Sequence, residues 1–246
     1  MKTYNTEWLK YACIMQIIYL VNIILSTYEY KEWGLNVTRA DCLMMSSSTW
    51  ITGMLIIPLV ALYMLREYYY TDFSVYVVKN ISRRQIYAKQ VKRLVIVSLM
   101  VSVYQYISTV MWSFLICDAL INWTGGNSVI YELYMTTSDI SFAAFSVLYI
   151  IMLTLCIFIG LLITNVCNWI TWKWTGIVIV ILMCGIDIVQ NKVFMLCEGI
   201  LPQYKFIGSI KAVVIQLTAG LVVSVIIFAI GLRISDRREY ISEVRH

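Results

Sequence analysis

From residue 140 to residue 172 the chain runs 33 positions without an Asp, Glu, Lys or Arg. A helix needs roughly 20 mostly apolar residues to cross the hydrocarbon core of a bilayer, so this run by itself directs the fold towards a membrane. Four further runs are uncharged throughout: 11–28, 42–65, 94–117 and 212–232. A sixth, 174–186, is shorter, but apolar character resumes past Asp187 and reaches Phe194. The spacing predicts an all-α polytopic membrane protein with six transmembrane helices, at about 11–28, 42–65, 94–117, 140–166, 175–194 and 212–232. Only 13% of the chain is charged, about half the share in soluble domains. With two prolines and eleven glycines there is little material for a linker, so 1–246 is expected to be a single transmembrane domain. The apolar stretch after Lys10 is too long for a signal-peptide core and lacks a small-residue cleavage site, so the first span is expected to remain in the mature protein.

Orientation follows from where Lys and Arg fall, because short cytoplasmic loops accumulate them. With the amino terminus inside, fourteen Lys and Arg lie on inner segments and five on outer ones. Both the amino and carboxyl termini are therefore expected to be cytoplasmic. The net charge of +5 is accounted for by anionic inner-leaflet lipid, and no nucleic-acid partner is implied. Covalent chemistry is poorly provided for. The one histidine is His246, which excludes His-based triads and di-histidine metal sites built from this chain alone. No glycine-rich phosphate loop is present, so any nucleotide is handled elsewhere. The seven cysteines are scattered without the close pairing of a zinc or redox motif. Cys42, Cys117 and Cys197 fall near the outer face, and a bridge among them stays unassigned at this level.

The segment 66–93 between the second and third spans is the most informative. It reads as two short helices. Phe73, Val77 and Ile81 recur at intervals of four, an apolar stripe along one side of the first. Ser82 followed three residues later by Gln85 is a capping-box pattern, so a second helix is expected to begin there and run without a break into the third span. Arg83, Arg84, Lys89, Lys92 and Arg93 then lie at phosphate depth. A short amphipathic helix at the inner surface suits a soluble partner.

Six spans with both ends inside, a basic loop after the second span with Asn80-Ile81-Ser82-Arg83-Arg84-Gln85-Ile86-Tyr87-Ala88-Lys89 leading into the third, and an apolar outer segment before the sixth resemble the permease (transmembrane) subunit of an ABC transporter of the type-2 exporter class. The resemblance implies a coupling helix at Phe73 to Lys79, with Phe73, Val77, Lys79, Ser82, Arg83 and Arg84 meeting cytoplasmic ABC ATPase subunits. It also implies an amino-terminal surface helix within 1–10 and an outer re-entrant helical pair over 193–210, with Gly199 and Pro202 making the turn. On this reading the chain is not an enzyme and binds no cofactor itself. ATP and Mg sit on the partner ATPase, and a second permease subunit, identical or related, completes the pathway. The location implied is a plasma membrane, multi-pass and bacterial. The cargo implied is an antimicrobial peptide or a drug, as in efflux and antimicrobial peptide resistance.

Inside the membrane one ionisable residue stands out. Asp187 is costly at that depth and invites a functional reading: a place on the translocation path, against the plainer reading of an acid at the outer headgroups beside Asn191 and Lys192. Pro58 is expected to kink the second span. Trp169, Trp172 and Trp174 are expected at the inner interface. A secondary transporter or channel independent of an ATPase is the alternative function. That class generally uses several intramembrane charges or an internal repeat, and the chain shows one acid and no repeat.

Overall fold

The computed structural model describes residues 3–75, 82–170, 174–190, 196–207 and 209–237. Within them the chain is helical, with a single isolated bridge between Asn36 and Ser128. The elements are α1 (Thr3–Glu32), α2 (Arg39–Ser46), a π-helix (Thr49–Ile56), α3 (Ile57–Val75), α4 (Arg83–Phe114), α5 (Val129–Tyr134), α6 (Phe142–Ile170), α7 (Thr175–Gln190), α8 (Cys197–Ile200), α9 (Tyr204–Ile207) and α10 (Ile210–Arg237). Five helical stretches are long and apolar enough to cross a membrane: Trp8–Glu32, Thr49–Arg66, Arg83–Phe114, Phe142–Ile170 and Lys211–Asp236. The expected fifth span is α7, whose 16 residues fall short of that length.

One of these helices is inverted, polar side inward and apolar side outward. On α4 the buried face carries Ser98, Ser102, Gln105, Ser108, Thr109 and Ser113, while Val95, Ile96, Leu99, Met100, Ile107 and Met111 are exposed. Both sets recur every three to four residues, the helical period. Exposed apolar stripes of this kind on a soluble monomer are costly; against lipid tails they cost nothing, and the small polar residues let helices approach and hydrogen-bond inside.

α6 is the central post, packed against α3, α4, α7 and α10. Contacts along the helices set their directions. Ala12 and Gln16 meet Tyr104 and Ser108, and Lys31 meets Ile116, so α1 and α4 run parallel. Gln90 meets Trp169 and Tyr106 meets Ser146, so α4 and α6 are antiparallel. Gly176 abuts Thr164 and Cys167 of α6 while Cys184 shares Cys197 with Cys156, so α7 opposes α6 as well. Helix ends therefore gather into two layers. The starts of α6 and α10 lie with the ends of α1 and α4 in one, and the basic start of α4 lies with Trp169 in the other.

Five sequence expectations need correction. The uncharged run 42–65 is not one helix: α2 stops, Ser48 accepts from the Ile51 amide to cap a new start, and eight residues follow as a π-helix before α3. Pro58, in the first turn of α3, has no N–H to return to the preceding turn; the wider turn, in which the Ile57 amide reaches Thr52, stands where a simple kink was expected. The amino-terminal surface helix is absent as a separate element, because no Gly or Pro interrupts residues 3–32 and α1 runs straight through Lys10. The coupling segment does not open with its own short helix either. α3 carries on past Arg66 to Val75 with no breaker in the way, and Phe73 is in its last turn; Val77 and Lys79 lie outside the described residues. Finally, Trp169 is buried, donating its indole N–H to Gln90 at 2.8 Å, and Trp174 is the exposed one; Trp172 lies outside the described residues.

Candidate functional site: two buried carboxylates and the helices they cap

The break between α2 and the π-helix leaves backbone carbonyls unpaired at a depth where water cannot serve them. Ser46 shows how the fold answers. Its carbonyl accepts from Gln105 Nε2 at 2.8 Å and from Thr52 Oγ1 at 3.4 Å. Its hydroxyl is 3.1 Å from the Tyr149 hydroxyl and accepts from Thr109 at 3.2 Å. Tyr19 donates to Gln105 Oε1 at 3.2 Å, which joins α1 to the network. Beside it Gln16 donates to Tyr104 and Ser108 and accepts from Trp112 Nε1. Four helices are thus tied by side chains the inverted face of α4 supplies.

Above this network sits Asp41, fully buried. Thr38 caps α2, and the pair forms a reciprocal capping box. One carboxylate oxygen accepts from the Thr38 amide at 2.8 Å and the Thr38 hydroxyl at 2.6 Å. The other accepts from Trp123 Nε1 at 2.8 Å and the Tyr204 hydroxyl at 2.9 Å. Burial pushes the Asp41 carboxyl above its ordinary range, and the four donors oppose that shift. Burial raises the Tyr204 hydroxyl too, with the neighbouring carboxylate adding to it. A single carboxylate therefore knots α2, the loop before α5 and the helix α9.

Asp187 plays the matching part for α8. It is fully buried near the end of α7, and one carboxylate oxygen accepts from the backbone amides of Leu196 at 2.9 Å, Cys197 at 2.7 Å and Glu198 at 3.4 Å. These are the amides that a helix start leaves unpaired. Leu196, at the N-cap, supplies no side-chain bond of its own, so a residue from another helix caps α8. Two short helices, α8 and α9, lie within the segment 193–210 where a re-entrant pair was expected, with Leu201, Pro202 and Gln203 between them; residues 191–195 and 208 lie outside the described residues. Glu198 fastens the pair laterally, accepting from Thr49 Oγ1 at 3.1 Å and from Gln203 Nε2.

Below α8 a cavity of about 470 Å³ runs between α6, α7 and α10, lined by Ile163, Met183, Glu198, Gln216, Gly220 and Ile227 among others. It falls in the size range of small-molecule sites. Its walls are apolar apart from Glu198 and Gln216. The Gln216 amide is buried without a hydrogen-bond partner, which at this depth is a cost the fold carries.

The structure does not bring the predicted site residues together. Ser82 caps α4, accepting from the Gln85 amide at 3.4 Å, so the helix expected to lead into the third apolar run begins where the sequence placed it. Arg83 is half-buried and Arg84 exposed at that same end. Asp187 lies in the opposite layer. Asp41 was missed by sequence reasoning, although Thr38-x-x-Asp41 ahead of an apolar run is a legible capping signal; its position just outside an uncharged run hid it. Among the described residues no group of three or more His, Cys, Asp or Glu is arranged to hold a metal ion. No protein-family description, curated protein or solved structure matches the chain.

Proposed function

We propose that this chain is the permease subunit of an ATP-driven exporter of the ABC type-2 class, a six-pass plasma-membrane protein of bacterial origin with both termini cytoplasmic. α7 is then a short fifth pass. ATP and Mg belong to a separate cytoplasmic ATPase, and a second permease subunit completes the pathway. The observation that carries the reading is α3. It leaves its apolar stretch at Leu65 and continues as unbroken helix to Val75, ten residues or about 15 Å at 1.5 Å per residue. The chain then returns through the Ser82 cap into the 32 residues of α4. α3 thereby extends beyond its apolar stretch as a stiff helical arm, and the basic start of α4 follows it in the sequence. A continuous helix transmits a push at its tip to its membrane half as a rigid body, which a flexible loop does not.

The reading also draws on the cap. Asp187 and Asp41 hold α8 and α9 as a plug over the apolar cavity, and movement of α7 relative to α10 changes that cavity. An amphiphilic cargo, antimicrobial peptide or drug, fits such a lining. The test is co-purification. A tagged chain extracted from its own membranes brings down an ATPase, Phe73→Asp abolishes the association at unchanged membrane abundance, and Phe73→Leu retains it. Transport driven by an ion gradient with no ATPase present overturns the proposal in favour of a secondary transporter or channel.

A further inference from the structure

Of the thiols that approach one another, two sets differ in kind. Cys156, Cys184 and Cys197 converge beneath α8, with the Cys197 sulfur 3.7 Å from Cys156 and 3.6 Å from Cys184. This cluster has no single pair, and it sits on apolar helices where a thiolate is strongly disfavoured. The second set is one pair. Cys42, in α2, has its sulfur 3.6 Å from that of Cys117, just past the end of α4. Both are buried.

What places this pair is backbone, not the thiols. The amides of Arg39 and Ala40 donate to the carbonyls of Ala119 and Leu120 at 3.1 and 3.0 Å, and Arg39 Nε donates to the Cys117 carbonyl at 3.2 Å. These three bonds hold the start of α2 alongside the chain that leaves α4. Lys31 donates to the carbonyl of Ile116 at 3.4 Å, and the Arg39 guanidinium lies over the Phe114 ring. Two cations thus flank Cys117, and neighbouring cations favour the reactive thiolate. The pair belongs to the layer that the Lys and Arg distribution sets on the outer face, away from cytosolic reductants.

We infer that Cys42 and Cys117 form a disulfide in the mature protein, stapling α2 to the end of α4, and that Cys156, Cys184 and Cys197 stay reduced. The two sulfurs need to close from 3.6 Å to about 2.05 Å. The oxidant is a protein disulfide of the extracytoplasmic thiol-oxidising class. The Cys117 thiolate attacks one sulfur of that disulfide, forming a mixed disulfide and releasing one carrier thiolate. The Cys42 thiolate then attacks the Cys117 sulfur and releases the second. Two electrons pass to the carrier, which leaves as a dithiol with the two protons lost by the cysteines. The inference concerns the covalent state of the outer layer and does not depend on export or on an ATPase.

The test is made on the full chain in its own membranes, with free thiols blocked at lysis and no reductant. The expected result is an intact mass about 2 Da below that of the same sample after reduction, once blocking groups are subtracted. Under denaturant all but two of the seven cysteines take up the blocking reagent, and digestion without reductant yields a cross-linked peptide containing Cys42 and Cys117. Cys117→Ser leaves Cys42 alkylated and removes that peptide, while Cys167→Ser leaves it in place. Alkylation of all seven cysteines overturns the inference, as does a cross-link from Cys197 to any partner. Because the wild-type chain supplies the peptide map, a variant that fails to fold does not affect the outcome.

Discussion

Removing the Asp187 carboxylate offers the sharpest test of how α8 is held. In Asp187→Ala three amides at the start of α8 lose their acceptor, two of them bonded at 2.9 and 2.7 Å and one at 3.4 Å. A hydrogen bond to a charged group contributes about 1.5–3 kcal/mol, and an unpaired buried donor costs a comparable amount. Counting the two short bonds at about 2 kcal/mol each and the long one as minor gives a loss of about 4 kcal/mol. A four-residue helix whose start is uncapped keeps only the lateral bonds of Glu198 and its buried side chains, so the loss falls on α8 locally before it reaches the whole fold. Asn keeps an acceptor oxygen without the charge, and neutral bonds are roughly half as strong. Asp187→Asn is therefore expected to lose about 2 kcal/mol. Cys197 reports the event, because it is buried in the native fold and rides on α8 itself. Detergent-solubilised protein is pulsed with a polar maleimide, and Cys197 labelling is read by peptide mapping. The expected order of labelling rate is wild type, then Asp187→Asn, then Asp187→Ala, each step about 30-fold where opening and closing are fast relative to labelling. Equal protection of Cys197 in all three proteins refutes the view that this carboxylate pins α8.

Two further outcomes follow from the geometry. Burial raises the Asp41 carboxyl above its unfolded value of about 4, so the native state holds the proton more tightly than the unfolded chain does. The stability this contributes is complete below the unfolded value and is lost as pH rises through the raised one. Unfolding temperatures measured from about pH 4 to pH 7 should show wild type losing stability relative to Asp41→Asn as pH rises, and a constant difference contradicts the assignment. At the α6–α7 contact, a Cβ on Gly176 meets the Thr164 backbone at 2.6 and 2.8 Å, whereas one on Gly185 meets nothing within 4 Å. Gly176→Ala should destabilise by about 1–3 kcal/mol, and Gly185→Ala should be neutral or stabilising by up to about 1 kcal/mol; thermal melts of the pair compare the two directly.

How much was legible beforehand depends on how far along the chain each cause lies. The five long apolar helices were readable because hydropathy is summed over neighbouring residues, and the start of α4 at Ser82 because a cap acts within three positions. The Ser and Gln stripe on α4 was equally periodic, though only packing shows that this polar side faces inward. At α7 the sequence showed an apolar run that continues past Asp187, but not that in space this acid caps α8. The break of the second apolar run into α2, a π-helix and α3 was not readable from an uncharged stretch, since it depends on Gln105, 59 residues away, taking up the freed carbonyl of Ser46.

Composition and local order alone thus decided that the chain is helical, with several helices long and apolar enough to cross a membrane, and where most of its helices begin. The tertiary structure decided which polar groups meet. Asp41 finds Tyr204 across 163 residues and Cys42 finds Cys117 across 75, through contacts no window of neighbours contains. The physical reason is that hydrophobic transfer is additive and local along a helix, whereas the pairing of buried polar groups is settled only when helices distant in sequence are brought side by side.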